Sequence, residues 1–315
     1  MLKLNIAILG AGWIAPQGGG QPAEKLSAQE PDYAGMISPM QLRRMSKAVR
    51  MGIGAAKACL ADAGVEAPDG IATGTGLGCL QDTEVFLKKL VQQEEQMLTP
   101  TSFIQSTHNT VAGQIALLSH CHGFNTTVSQ HGHSFEGAFV AAAMHMASNP
   151  GQKLLCGGID ELTETAWQLM NRAGVYTATA AGEGAGFLLL GDDARDAGVR
   201  ITGMHQFHEP DATAALRILK EALSDTPVNG TALWTGPSGE TGRIYDELAK
   251  SLGLEPLSYK ASSGDWSTAV SVALAKAVNE WPADQQRLIL VSNFGSDWSI
   301  WILKTAGVDA CRRHA

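Results

Sequence analysis

The chain of 315 residues has no C-x-x-C pair, no surplus of basic residues and no apolar run near the ~20 residues of a membrane span. Each absence removes a class of protein. Five cysteines, an odd number without paired spacing, read as a reduced, cytoplasmic chain. Lys and Arg number 23 against 31 Asp and Glu, a formal net charge of −8. That balance argues against nucleic acid or an anionic membrane surface as partner, since either needs a basic face. The opening M-L-K-L-N-I-A-I-L-G is apolar but runs into G-A-G-W without a cleavage site, so a first buried strand is expected rather than a signal peptide. What remains is 44% apolar, with 35 glycines and prominent alanine. This composition suits tightly packed helices on a sheet, in a chain long for one domain and short for three.

Hydrophobic periodicity divides the chain into strands and helices. Leu4–Leu9 is expected to be a buried strand, and Gln17–Ser38 a surface loop. Arg43–Ala63 has the spacing of an amphipathic helix, with Gly64 ending it. Gly70–Gly78 reads as a strand entering a glycine-rich turn, followed by a helix over Thr83–Gln92. Asn109–Ser119 is expected to be helical, Thr126–Ser129 a strand, and Ser134–Ala147 a helix ended by Asn149-Pro150-Gly151. Lys153–Cys156 and Gly184–Leu190 read as strands. After a polar turn at Asp192–Gly198 a second pattern begins. Its strands are Arg200–His205, Ala232–Thr235, Leu288–Ser292 and Ser299–Lys304, and its helices Ala212–Leu223, Gly239–Leu252 and Ser267–Asn279. Ser134–Ala147 and Ser267–Asn279 are nearly apolar all round, the mark of buried helices. The periodicity by itself gives an α/β chain with a mostly buried sheet.

Several motifs carry possible chemistry. Gly10-Ala11-Gly12 resembles the start of a dinucleotide fingerprint, but Trp13, Pro16 and a glycine run follow, so no helix opens to hold a pyrophosphate. Gly74, Gly76 and Gly78 lack a Walker lysine and read as close packing. No cofactor is expected. His120, Cys121, His122, His131 and His133 suit zinc by type. Closeness in sequence is not convergence, however, and the plainer reading is a polar, partly buried seam with no metal. Gly132-His133-Ser134-Phe135-Glu136-Gly137 nearly forms a hydrolase elbow. Ser134 is then either a nucleophile or the cap of the following helix. Arg43, Arg44, Lys47 and Arg50 form a basic stripe that is either a solvated helix face or a docking site for an acidic protein.

The stretch V-S-Q-H-G-H-S-F-E-G (Val128–Gly137) resembles the nucleophile turn of a β-ketoacyl synthase, usually V-S-T-A-C-S-S-G, with the cysteine position falling on Gly132. Four further segments occur in that family's order. They are F-I-Q-S-T-H-N-T-V-A-G-Q-I-A (Phe103–Ala116), G-E-G-A-G-F-L-L-L (Gly182–Leu190), K-A-S-S-G-D (Lys260–Asp265) and S-N-F-G-S-D-W (Ser292–Trp298). The last has lost the family's paired glycines. The resemblance spans most of the chain and implies a thiolase-like five-layer αβαβα sandwich of two pseudo-repeated halves, residues 1–195 and 196–315. It also implies a degenerate site. Gly132 replaces the cysteine, Trp234 or Thr235 stands where one catalytic histidine belongs, Asp265 replaces the other, and Lys260 alone survives. A ketosynthase sets its thiol at a helix N-terminus, which lowers the thiol pKa, and uses two histidines on the developing oxyanion. Glycine cannot be acylated, and an aspartate brings the wrong charge sign.

What the resemblance implies is therefore a non-catalytic subunit similar to the chain-length factors of type II polyketide systems and to the compact ketosynthase-like subunits of aryl polyene clusters. Such a subunit forms a heterodimer with an active β-ketoacyl synthase and serves an acyl carrier protein. By that resemblance Thr126, Thr127, Val128, Ser129 and Gln130 would form the dimer seam. Gln105, Ser106, Thr107 and His108 would line the partner's acyl tunnel, with Phe135 near its end. Two alternatives stay open: an acyltransferase or hydrolase using Ser134, and a homodimeric acyl-binding scaffold.

Overall fold

The computed structural model describes residues 1–98, 100–192, 198–236, 240–282 and 284–305. Residues 193–197, which hold the expected junction of the two halves, and 237–239, shortly after Trp234 and Thr235, lie outside that set. The chain runs β1 (Leu2–Ile14), α1 (Pro39–Leu42), α2 (Lys47–Asp62), β2 (Gly70–Gly74), α3 (Leu80–Gln92), α4 (Pro100–Gln105), α5 (Thr110–Leu118), β3 (Phe124–Val128), α6 (Ser134–Ser148), β4 (Leu154–Asp160), α7 (Glu164–Arg172) and β5 (Gly184–Gly191). It continues through β6 (Val199–His208), α8 (Ala212–Leu223), β7 (Thr231–Thr235), α9 (Glu240–Leu252), β8 (Pro256–Ser258), α10 (Ala269–Asn279), β9 (Arg287–Phe294) and β10 (Asp297–Thr305).

The strands form one sheet in the order β3-β2-β4-β5-β1-β6-β10-β9-β7-β8. Split between β1 and β6, the order shows one five-stranded topology used twice. In each half the outermost three strands of that order are parallel and the next two join antiparallel. Parallel neighbours need crossover helices, and α6 and α10 are the corresponding crossovers of the two halves. The halves meet where β1 pairs antiparallel with β6. This double duty explains why β1 extends well beyond the expected Leu4–Leu9.

Strand alternation sorts the core into layers. Leu154, Cys156, Leu188 and Leu190 face the central cluster with Phe135, Phe139, Leu274 and Trp301. Their neighbours Leu155, Phe187 and Leu189 face α2 and α5 on the outside. In the second half Leu288 and Leu290 face inward, while Ile289, Ile300 and Ile302 meet α8 and α9. The result is the expected five-layer αβαβα sandwich, with α6 and α10 buried between two half-sheets. Their lack of a polar face follows from this position.

Both glycine motifs are packing devices. A Cβ on Gly10 would lie 2.6 Å from the Cys59 carbonyl oxygen, and one on Gly12 would lie 2.4 Å from the Cys59 nitrogen. The G-A-G step thus lets α2 lie against β1, within a continuous strand. A Cβ on Gly74 would meet the Ser134 carbonyl oxygen at 2.3 Å, so the end of β2 lies directly against the start of α6. The expected helix from Arg43 starts later: Ser46 stands at the N-cap position and α2 begins at Lys47. Arg43 and Arg44 precede it, on the outside of the fold. Lys47 pairs with the buried Glu183, and Arg50 with Glu30 at 2.8 Å. Half of the expected basic stripe is therefore committed to internal ion pairs.

Candidate functional site

Strand β3 leads through a short 3₁₀ turn, His131–His133, into α6. The turn is strained. His131 has φ +48°, a left-handed backbone that non-glycine residues adopt at a cost. Gly132 follows it, buried beneath the start of the helix. Ser134 is fully buried, donates its hydroxyl to the His131 carbonyl at 2.7 Å, and accepts the Gln130 N–H at 2.9 Å. The expected helix cap is therefore corrected: the hydroxyl braces the turn from inside and does not cap α6. With its proton given to a carbonyl and its oxygen out of solvent, Ser134 is not poised for attack. Ser134→Ala should lower stability by about 1–3 kcal/mol, because the Gln130 N–H loses its acceptor. Ser134→Asp should cost more, since it buries a charge. Thermal unfolding of both variants checks this order.

The space over Gly132 is filled from the other half of the chain. The β9–β10 hairpin turns tightly through Gly295 (φ +58°) and brings up Asp297. The Gly132 N–H donates to Asp297 Oδ2 at 3.1 Å. His208 Nδ1 lies 2.7 Å from Asp297 Oδ1, and the buried His133 sets its Nε2 3.1 Å from the Trp298 carbonyl. A Cβ on Gly132 would fall 2.8 Å from the Asp297 Cβ and 3.1 Å from the Phe294 Cβ. Sequence reasoning passed over Asp297 and His208 as site residues. The only available signal was the loss of the paired glycines in S-N-F-G-S-D-W.

Lys260 and Asp265 form a buried pair, Nζ to Oδ1 2.7 Å, and the Lys260 ammonium also donates to the Asn293 carbonyl. Burial pushes the Asp265 carboxyl above the usual carboxylate range, while Lys260 pulls it back. Beside them the Tyr259 hydroxyl bonds Ser292 at 2.6 Å, and Tyr245 donates to Asn293 at 2.6 Å. Trp234 belongs to the central core and Thr235 is buried. The positions expected to carry catalytic histidines thus hold an apolar ring or a hydroxyl on β7, and an ion-paired carboxylate.

Glu136, in the first turn of α6, is 1% exposed. Burial raises its carboxyl to about 7, against hydrogen bonding from Ser299. Its Oε2 has no hydrogen-bond partner among the described residues. Burial also raises the thiols of Cys59 and Cys156, and that of Cys79 to about 12, so none is an activated nucleophile. Cys121 lies at the far end of β3 from the turn, and His120 and His122 lie there with it. His131 and His133 are at the near end, separated from them by a five-residue strand that spans roughly 16 Å. No group of three or more possible metal ligands converges among the described residues.

The expected partner-facing residues divide. Thr126–Val128 lie on β3, which among the described residues is the sheet's edge and pairs with β2 alone. Ser129 and Gln130 are exposed just beyond it. Gln105 and Thr107 line a groove of 540 Å³ along α5 with Ile104, Leu117 and Cys121. Ser106 bonds back to Phe103, and the exposed His108 ring lies over Gly78. Phe135 is fully buried in the central core of this chain, 5.5 Å from the Trp301 ring. No helix among the described residues is long and apolar enough to cross a membrane.

Residues 13–195 match the family described as beta-ketoacyl synthase, N-terminal domain, and the chain belongs to it. No curated protein matches the chain in sequence. Among solved structures it is similar to a type II polyketide synthase acyl carrier protein in complex with its ketosynthase bound to the hexaketide. There the TM-score is 0.79 at 16% identity, over 96% of this chain and 100% of that one. It is similar to the ishigamide ketosynthase/chain length factor with TM-score 0.78 at 18% identity, over 96% and 100%. A beta-ketoacyl synthase from Burkholderia phymatum STM815 gives 0.76 at 16% identity, over 97% and 100%. The fold is thus the thiolase-like fold of ketosynthases and chain-length factors.

Proposed function

We propose that the chain is the non-catalytic, chain-length-factor-like member of a ketosynthase pair. It joins an active β-ketoacyl synthase as a heterodimer in the cytoplasm and shapes that partner's acyl pocket in polyene, fatty acid or polyketide synthesis on an acyl carrier protein. The two halves, 1–195 and 196–315, then play the parts of the family's N- and C-terminal halves. The observation that carries this reading is the elbow: Gly132 offers no nucleophile, and Asp297 stands in the space above it. The Lys260–Asp265 pair supports it, because the surviving lysine is tied to a carboxylate where an oxyanion would need a cation.

The surface supports a partner. An open strand edge is a template for pairing and is normally covered. On α3, α4 and the segment between them, Leu87, Val91, Met97, Phe103 and Ile104 are all at least half exposed. An obligate pairing over such a surface buries upwards of ~2,000 Å². Arg43 and Arg44, outside the internal ion pairs, remain for an acidic carrier protein.

Purified alone with malonyl- and acyl-carrier protein, the chain should release no carbon dioxide and form no thioester. Co-expressed with its synthase it should purify as a 1:1 complex. Thr126→Arg should dissociate that complex by burying an unpaired charge in the seam. Thr107→Trp should shorten the product without dissociating it. A covalent acyl adduct on the isolated chain, or an unchanged assembly with Thr126→Arg, would overturn the proposal. A stable homodimer beside every co-expressed synthase would favour the acyl-binding scaffold.

A further inference from the structure

We propose that Asp297 is a second lock on the elbow, acting independently of the missing nucleophile. It supplies an internal anion that occupies the start of α6 and excludes both a side chain at position 132 and the oxygen of an incoming acyl group. The proposal rests on reading Gly132 as the elbow's nucleophile position, and it deepens the non-catalytic reading by naming what keeps the emptied site closed.

Three observations carry it. The first is space. With Asp297 Cβ 2.8 Å and Oδ2 3.0 Å from where a Gly132 Cβ would stand, any side chain at 132 must displace the aspartate. The second is charge. The N–H groups at the start of a helix are where negative charge is favoured, and where an enzyme of this design would stabilise a developing oxyanion. Here the Gly132 N–H already serves the Asp297 carboxylate at 3.1 Å. A second anion would meet both an occupied donor and a like charge. The third is anchoring. Asp297 is the first residue of β10, set opposite Phe294 across the tight hairpin turn, and its other oxygen is held by His208 Nδ1 at 2.7 Å. The carboxylate is fixed from both sides, and nothing else in the hairpin needs to move for it to stay. Asp297 also stands in the motif where the family resemblance expects one of the paired glycines, so the closure comes from a side chain that the glycine pattern would omit.

The consequence is that restoring a thiol does not restore a reactive site. The test uses the full chain in four forms: parent, Gly132→Cys, Asp297→Gly, and both together. Iodoacetamide alkylation at position 132 is followed by mass spectrometry, and melting is measured in parallel. With Asp297 present, the thiol introduced by Gly132→Cys should alkylate slowly and the chain should melt well below the parent. Adding Asp297→Gly should speed alkylation at least tenfold and recover part of the melting temperature, so the two changes are strongly non-additive. Equal alkylation rates with and without Asp297, or additive melting shifts, would overturn the lock.

If Gly132→Cys fails to fold, Asp297→Gly alone decides. Its melting temperature should rise saturably with sodium formate, which refills the vacated anion position, and should not rise with sodium chloride at equal ionic strength. The parent should not respond to formate. Absence of a formate-specific rise would equally overturn the lock. Failure of the partner reading is seen separately, in the assembly and acyl-adduct assays, which do not involve Asp297.

Discussion

Asp265→His, the change that restores the family's histidine, is expected to destabilise the chain by about 3–5 kcal/mol and to restore no condensing activity. The reason is Lys260. Its side chain is 1% exposed, and its ammonium has two partners in the structure, the Asp265 carboxylate at 2.7 Å and the Asn293 carbonyl. A histidine removes the carboxylate and brings an imidazole that can itself become cationic, leaving a buried ammonium without a counter-charge. Breaking a buried pair on one side costs far more than replacing both members with apolar groups of similar volume. Asp265→Leu combined with Lys260→Met should therefore be markedly more stable than Asp265→His alone. Chemical denaturation of the three proteins checks this. Equal stability of Asp265→His and the parent would show that Lys260 does not need its carboxylate. Lys260 and Asp265 thus form a structural ion pair, which is why a single reversion toward the family pattern should fail.

The sequence was legible where local pattern and family motif coincide. G-E-G-A-G-F-L-L-L falls on β5 beside β1 in the first half-sheet, and the two nearly apolar helices are the central layer. Gly132 at the elbow was readable from the sequence alone. What faces it was not, because that depends on pairing at long range. Gly132 and Asp297 are 165 residues apart, and only the β9–β10 hairpin brings them together. The basic stripe misled for a similar reason. Glu183 and Glu30, which hold Lys47 and Arg50, come from distant segments that a helical projection does not contain. Helix α7 was missed although its signal was present: Thr163 caps it by accepting the Ala166 N–H. Strand β8 has three residues and too little pattern to register. Which side of the layer Phe135 takes was not legible either, because a residue one position into a helix can point to either face. The phase that buries Phe135 and Phe139 together is set by Trp301, on a strand far away in sequence.

Glu136→Gln is expected to make the chain more stable at pH 8 by about 3 kcal/mol and to change little at pH 5. Glu136 sits in the central layer, 1% exposed, one turn below the elbow, with Asp297 adding repulsion and Ser299 and Trp301 on β10 offering hydrogen bonds. Cys156 on β4 and Tyr259 are the other titratable groups coupled to it, and burial raises both, so they stay neutral through this range. Burial dominates and lifts the Glu136 carboxyl to about 7. In the unfolded chain an ordinary glutamate ionises near pH ~4.3. Between these two values the folded chain holds a proton that the unfolded chain has released, so stability falls as pH rises through the window. Above about 7 the folded state carries a buried carboxylate whose Oε2 has no hydrogen-bond partner among the described residues. Glutamine keeps the shape of the protonated acid and cannot ionise. The melting temperature of the parent should therefore decline more steeply from pH 5 to pH 8 than that of Glu136→Gln, in which the buried Glu161, also lifted to about 7, keeps part of the slope, giving a difference of about 5 °C at pH 8. Parallel pH profiles for the two proteins would show that Glu136 is solvated or paired in solution. A shallower variant profile would place that part of the pH dependence at the start of α6, where the charge of Asp297 adds to the cost of ionising Glu136.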